Sequence, residues 1–320
     1  MADIIGLVLP FFGMIFLGYV VAKITRQPVE ALGWLNTFII YIALPALFFK
    51  LVAKTPIEQL TRVDFILADI GATYSVFTLI FAAGLWLRRA SIGEATMQGL
   101  AAAYGNIGYM GPGLALLAFG EPAAVPVALV FCFENMLHFM VAPALMALGG
   151  GERQPPLRIA TGVLFKIVTH PFIIATAAGF AAAFAGFEPP LALQRLIDYL
   201  AQAAAPCALF AMGVTLALRP MRRVPVEIGY IVPAKLLLLP AVMYLVLGLA
   251  GNFDPVWVFT AMLLAALPTA TNVFVIGQQY GVWQERASAT ILITTVLSVA
   301  TVTILLYLVK SGLLAGDPFP

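Results

Sequence analysis

A chain of 320 residues that is 62% hydrophobic and only 10% charged is excluded from the ordinary soluble class, where about a quarter of residues carry charge. A net charge of +2 with no basic cluster argues against a nucleic-acid surface. No Gly-x-Ser-x-Gly, His-Glu-x-x-His or phosphate-binding Gly-rich Lys loop is present, so nothing points to an enzyme, or to an ATP-driven pump unless a partner subunit supplies the nucleotide site.

A mean hydropathy of +1.01, with apolar runs of about 20 residues, predicts an all-α polytopic membrane protein. Ten spans are expected, at 4–22, 31–50, 65–87, 95–118, 123–147, 158–185, 192–217, 226–250, 255–280 and 287–309. The first has no basic residue before it and no small-residue cleavage site, so it reads as a true span and not a signal peptide. Cys132 and Cys207 lie in apolar runs and read as buried thiols.

The third span carries Asp69 and the eighth Lys235, an acid and a base in corresponding spans. Each costs about 3 kcal/mol inside a bilayer and is a functional candidate by default. Paired, they would satisfy each other, either as a proton-coupling device or as a static ion pair. The fourth span contains Tyr104-Gly105-Asn106-Ile107-Gly108-Tyr109-Met110-Gly111-Pro112-Gly113, too rich in glycine and proline for a regular helix. Broken backbone at membrane depth survives only when buried in protein or lining a wet cavity. Glu134 and His138 on the fifth span are four residues apart and share a helix face. Packing or a proton relay suits them better than a metal, which would need further ligands. Lys166 can snorkel to the surface and His170 reads as structural.

A second break, Leu267-Pro268-Thr269-Ala270-Thr271-Asn272, interrupts the ninth span. Two interrupted spans in matching places point to a transporter binding site. Prolines support the match: Pro171 and Pro206 repeat Pro10 and Pro45 at one offset (171 − 10 = 206 − 45 = 161). The expected organisation is a first five-helix repeat over 1–148, a cytoplasmic linker over 149–157 and a second repeat over 158–320. An odd number of spans per repeat makes the halves inverted, with helices 4 and 9 crossing. Half-helix N-termini at such a crossing suit a carboxylate. The substrate-binding candidates are Asn106, Gly108, Gly111, Pro112, Pro268, Thr269, Thr271 and Asn272; Asn106 and Asn272 add side-chain donors, with Thr269, Thr271 and Gln278 weaker, and the bland alternative is a pair of kinked, packed helices. The coupling candidates are Asp69, Lys235, Glu134 and His138. No cofactor and no metal are expected, and the partners are a small organic anion and the bilayer, with a homodimer allowed. Ten Lys and Arg fall on one face against five on the other, which predicts both termini on the periplasmic side of a bacterial inner membrane.

These residues resemble the auxin efflux carrier family, bacterial carriers related to plant PIN proteins, over nearly the whole chain. The motifs are Leu44-Pro45-Ala46-Leu47-Phe48-Phe49, Phe65-Ile66-Leu67-Ala68-Asp69, Gly105-Asn106 with Met110-Gly111, Ala205-Pro206-Cys207-Ala208-Leu209-Phe210-Ala211-Met212-Gly213, Lys235 with Pro240-Ala241-Val242-Met243, and Leu267-Pro268 with Val273-Phe274-Val275 and Gln279-Tyr280. The resemblance implies a fold shared with bile acid–sodium symporters: a scaffold of spans one, two, six and seven, and a moving core of spans three to five and eight to ten. It implies that Asp69 and Lys235 stand where those symporters bind sodium, and that Asn106 contacts substrate. Two departures stand out: the long cytoplasmic loop of many plant members is absent, and Pro112 lies one position earlier than is typical of them. The resemblance also implies an organic anion, malonate- or auxin-like, carried by an elevator-type movement without sodium. The alternatives are a sodium-coupled carrier of the bile acid type and a membrane sensor using the same pocket.

Overall fold

The computed structural model describes residues 2–56, 58, 61–149, 161, 162, 164, 165, 168–218, 224 and 226–316. Apart from Gly149, the expected linker at 149–157 lies outside the described residues, and so does Lys166. Among the described residues every element is a helix. Seven are long and apolar enough to cross a membrane: Val8–Thr25, Glu30–Ala53, Val63–Leu87, Glu121–Leu148, Leu191–Leu218, Ile228–Ala250 and Gln284–Lys310. The expected spans 95–118 and 255–280 are each two short helices, and 158–185 is described only in part. The protein is a multi-pass membrane protein.

The chain divides into two compact units, Met1–Val63, Gly108–Cys132 and Val168–Pro220 in the first, and Asp64–Ile107, Phe133–Ile167 and Met221–Pro320 in the second. The first unit holds α1 (Ala2–Thr25), α2 (Gly33–Phe38), α3 (Leu44–Ala53), α6 (Gly111–Phe119), the start of α7 (Ala124–Leu148), α8 (Pro171–Ala185) and α9 (Leu191–Leu218). Helices α1 and α9 meet through two glycines. A Cβ on Gly18 would overlap the Phe210 carbonyl, and one on Gly213 the carbonyl of Ile15. Small residues permit this approach, and it matters because lipid supplies no hydrophobic force between helices. Phe48, Phe131 and Phe172 form an aromatic cluster with ring centroids 4.1 to 6.0 Å apart, and Lys50 pairs with Asp198 at 2.7 Å.

The second unit holds α4 (Val63–Leu87), α5 (Ile92–Ala103), the remainder of α7, α10 (Ile228–Pro233), α11 (Leu239–Ala250), α12 (Pro255–Ala266), α13 (Thr271–Tyr280) and α14 (Gln284–Lys310). Its interior is built on the two half-length helices α5 and α12. Ten of the twelve residues of α5 and nine of the twelve of α12 are buried. A helix apolar on every side belongs inside a bundle, and Ala101, Ala102, Ala103, Ala261, Ala265 and Ala266 let backbones come close.

Both half-helices start on caps that are legible in the sequence. The Ser91 hydroxyl accepts from the Glu94 amide at 3.2 Å, and the Asp254 carboxylate accepts from the Val256 amide at 2.8 Å with Pro255 at the first helical position. Helix α13 ends on Gly281 in the left-handed region (φ 68°), which a side chain would strain. Two of the in-helix prolines, Pro45 and Pro240, follow a local widening. Ile39–Ala43 and Ala234–Leu238 are π-helical turns, each followed at once by Leu-Pro (Pro45 and Pro240). Proline has no amide to give and collides with the carbonyl one turn back; a wider turn relieves both problems, and such turns often mark functional positions. Lys235 lies in the second of them.

Candidate functional site

The two breaks meet inside the second unit. After α5 the chain turns extended at Tyr104, and after α12 it turns extended at Leu267. The segments lie antiparallel, with Gly105 opposite Thr269. The Asn106 amide donates to the Pro268 carbonyl at 2.8 Å and the Ala270 amide to the Tyr104 carbonyl at 2.9 Å. Each break thereby satisfies backbone groups that the other has freed, as burial at membrane depth requires. The register differs from that given by the constant offset of 161, which sets Asn106 against position 267. The N-caps are 163 apart (254 − 91), while the second half-helices start 160 apart (271 − 111). The first break is three residues longer, and the slip accumulates across it.

Thr269 anchors the crossing. Its hydroxyl donates to the Ala101 carbonyl at 2.7 Å, and its amide donates to the Thr294 hydroxyl at 3.1 Å. Gly105 has to be bare: a Cβ there would lie 3.0 Å from the Leu264 carbonyl oxygen and 3.3 Å from Lys235 Nζ. That second distance sets the Lys235 ammonium against the crossing itself. Lys235 is fully buried and donates to the Ala265 carbonyl at 2.5 Å.

The acids come from other helices. Asp69 on α4 is 1% exposed, and neither carboxylate oxygen has a hydrogen-bond partner among the described residues. The expected direct Asp69–Lys235 ion pair is not formed: no contact within 4.0 Å joins them, because the lysine instead points at the last turn of α12. The acid whose field reaches Lys235 is Glu134 on α7. Glu134 Oε1 accepts from the Thr73 hydroxyl at 2.6 Å, and its Oε2 lies 4.0 Å from Nε2 of His138, one turn on. Thr73 is one turn beyond Asp69 on α4, so that helix face carries both a bonded and an unbonded group toward Glu134.

His138 is wholly buried. Its Nδ1 lies 3.1 Å from the Tyr74 hydroxyl, and its ring stacks on Tyr104 at 4.2 Å between centroids. The Tyr104 hydroxyl donates to the Asn135 carboxamide and accepts from Asn272 Nδ2 at 2.7 Å. Asn272 is thus tied into the second unit through Tyr104, and Asn106 is 3% exposed.

The second unit therefore brings together Asp69, Asn106, Glu134, His138, Lys235, Pro268, Thr269, Thr271 and Asn272. Gly108, Gly111 and Pro112 belong to the first unit. There Gly108 faces Phe131, whose ring would stand 2.9 Å from a Cβ, while Gly111 and Pro112 open α6 without a side-chain cap. Helix α13 also opens without a side-chain cap, at half-buried Thr271. Among the described residues no three of His, Cys, Asp and Glu gather in a metal-binding group. Thr73, Tyr74, Tyr104 and Asn135 were not singled out by sequence. Thr73 could have been found from its place one turn after Asp69, whereas nothing local marks Tyr104 as polar-facing.

Comparison with known proteins finds transporters. A family model described as "Membrane transport protein" matches residues 3–132 and 138–306. A protein of Rhizobium meliloti (strain 1021) named "Putative malonate transporter" is 73% identical over 320 residues, covering 100% of both chains. An "Uncharacterized transporter" of Methanothermobacter thermautotrophicus is 23% identical over 300 residues, covering 92% of this chain and 94% of its own. The Escherichia coli (strain K12) "Uncharacterized transporter YfdV" is 22% identical over 308 residues, covering 95% and 96%. With buried charges around two interlocked helix breaks and a family match along nearly its whole length, the chain belongs to the membrane transport protein family of auxin efflux carriers and is a transporter, not an enzyme.

Proposed function

We propose that this protein is a secondary carrier of a small organic dicarboxylate of the malonate type, working in a bacterial inner membrane with both termini in the periplasm. The observation that carries the reading is the crossing of Tyr104–Asn106 with Pro268–Ala270 against the buried ammonium of Lys235. A cation and the uncapped N-terminus of α13 lie within one unit, which is the chemistry a carboxylate needs. Asn106, Thr271 and Asn272 would supply donors, with Pro268 and Thr269 shaping the backbone. The malonate relative supports the substrate class.

The movement we propose is elevator-like. The second unit, carrying the crossing, would be the transport core, and α1, α3, α8 and α9 would form the scaffold. Two inverted five-helix repeats over 1–148 and 158–320 would underlie the two breaks. Coupling would involve Asp69, Lys235, Glu134 and His138 and would need no sodium, because an ammonium already occupies the crossing. Purified protein in proteoliposomes loaded with unlabelled malonate should exchange it for external labelled malonate without any ion gradient. Binding without exchange would make the protein a sensor, and neither binding nor exchange with a panel of carboxylates would remove the organic-anion reading.

A further inference from the structure

Among the described residues of the second unit, the buried charges do not balance. Three of its described acids are buried: Asp69, Glu134 and Glu227. Glu227 is answered by Arg286 at 2.9 Å. Asp69 and Glu134 remain, and among the described residues Lys235 is the buried cation, one whose field reaches Glu134. His138 does not add a charge. Its Nε2 has no hydrogen-bond partner among the described residues, and a buried imidazolium with an unmet N–H is strongly disfavoured. Two carboxylates against one ammonium leave one negative charge uncompensated in a low-dielectric interior, where an isolated ion costs several kcal/mol.

We infer that Asp69 and Glu134 together bind one proton, and that this shared carboxyl site is where a transported proton rides. The inference rests on the transport reading and goes beyond it by fixing the place and the number of protons. Asp69 offers two buried oxygens with no hydrogen-bond partner among the described residues, while Glu134 has one oxygen held by Thr73. Thr73, which bonds Glu134, lies one helical turn beyond Asp69 on the same face of α4, and two buried carboxylates set along one face cannot both stay ionised without cost, so the proton belongs to the pair. The groups facing it are Thr73 and Tyr74 from α4, His138 from α7, Tyr104 from the first break and Lys235 from the π turn. A sodium ion is the poorer fit, since it would need a shell of oxygens beside an ammonium. With the proton bound, the buried group is neutral overall. A substrate carboxylate beside Lys235 would draw off that ammonium's compensation, so anion and proton should favour each other's binding and travel in the same direction.

Infrared spectroscopy of the purified full chain in detergent at neutral pH reads the proton directly, through the C=O stretch of a buried protonated carboxyl, and does not depend on transport. Wild type should show one such band. Asp69→Asn and Glu134→Gln should each abolish it, because the remaining acid is then matched by Lys235. Lys235→Met should show two. No band in wild type, two bands in wild type, or a band that persists in both single-acid variants would each overturn the inference. In proteoliposomes a pH gradient alone should drive malonate accumulation; accumulation that follows a sodium gradient and ignores the pH gradient would overturn it too. If malonate is not exchanged at all, the transport reading fails separately, and the band count still decides the proton.

Discussion

Tyr104 links three of the site's side chains. Its hydroxyl joins Asn135 to Asn272 and its ring covers His138. Tyr104→Phe keeps the stack and removes one hydrogen bond each from the buried Asn135 and the half-buried Asn272 carboxamides, a bond typically contributing about 0.5–1.5 kcal/mol. Its thermal unfolding midpoint should fall, and malonate affinity should weaken through misplacement of Asn272. An unchanged midpoint would show that the two amides find other partners. Asn106 makes a cleaner probe. Its backbone amide bonds Pro268 whatever the side chain, so Asn106→Ala should leave the crossing intact. Losing one hydrogen bond to a charged substrate costs about 1.5–3 kcal/mol, which is roughly ten- to a hundredfold in affinity by the usual conversion. Malonate titration of this variant measures it, and unchanged affinity with normal folding would move the seat away from Asn106.

At the scale of elements, the breaks and the π turns are the devices that matter. Gly105→Ala sets a Cβ against the Leu264 carbonyl and Lys235 Nζ. The backbone at the crossing cannot shift without losing its paired amides, so the lysine has to give way. Transport should fall sharply while the apparent melting temperature changes modestly; counterflow and a thermal melt, run side by side, test this. Helix α12 needs Asp254 at its start, and Asp254→Ala should cost about 0.5–2 kcal/mol of stability, seen as a lower unfolding midpoint with transport retained. The N-caps, the αL glycine and the Leu-Pro pairs could be read from sequence because their chemistry acts over a few residues. The π turns could not, since a proline is equally compatible with a kink, and packing chooses between them.

For the whole molecule, orientation is the property the Lys and Arg distribution predicts most directly. A green fluorescent protein fused after the last residue should stay dark, and an alkaline phosphatase fusion should be active; the reverse pattern would invert the protein in the membrane. The division into two units bears on mechanism. In an elevator, a cross-link within either unit should leave exchange intact, whereas one joining them should stop it.

By itself the sequence determined the membrane class, the positions of both breaks, and the four ionisable groups that share the second unit. Those are set by composition, by backbone chemistry at glycine and proline, and by the cost of burying charge, all of which act locally. Tertiary structure alone decided how the groups are wired. Asp69 and Lys235 correspond in sequence and invite a direct pair, yet the lysine reaches the end of α12 and its field meets Glu134. Likewise Thr73 and Tyr104 look like ordinary helix and loop residues until α7 packs beside them and supplies Glu134, Asn135 and His138. A side chain's partner depends on which helix faces cross and at what height, and that choice is made by packing between segments far apart in the chain.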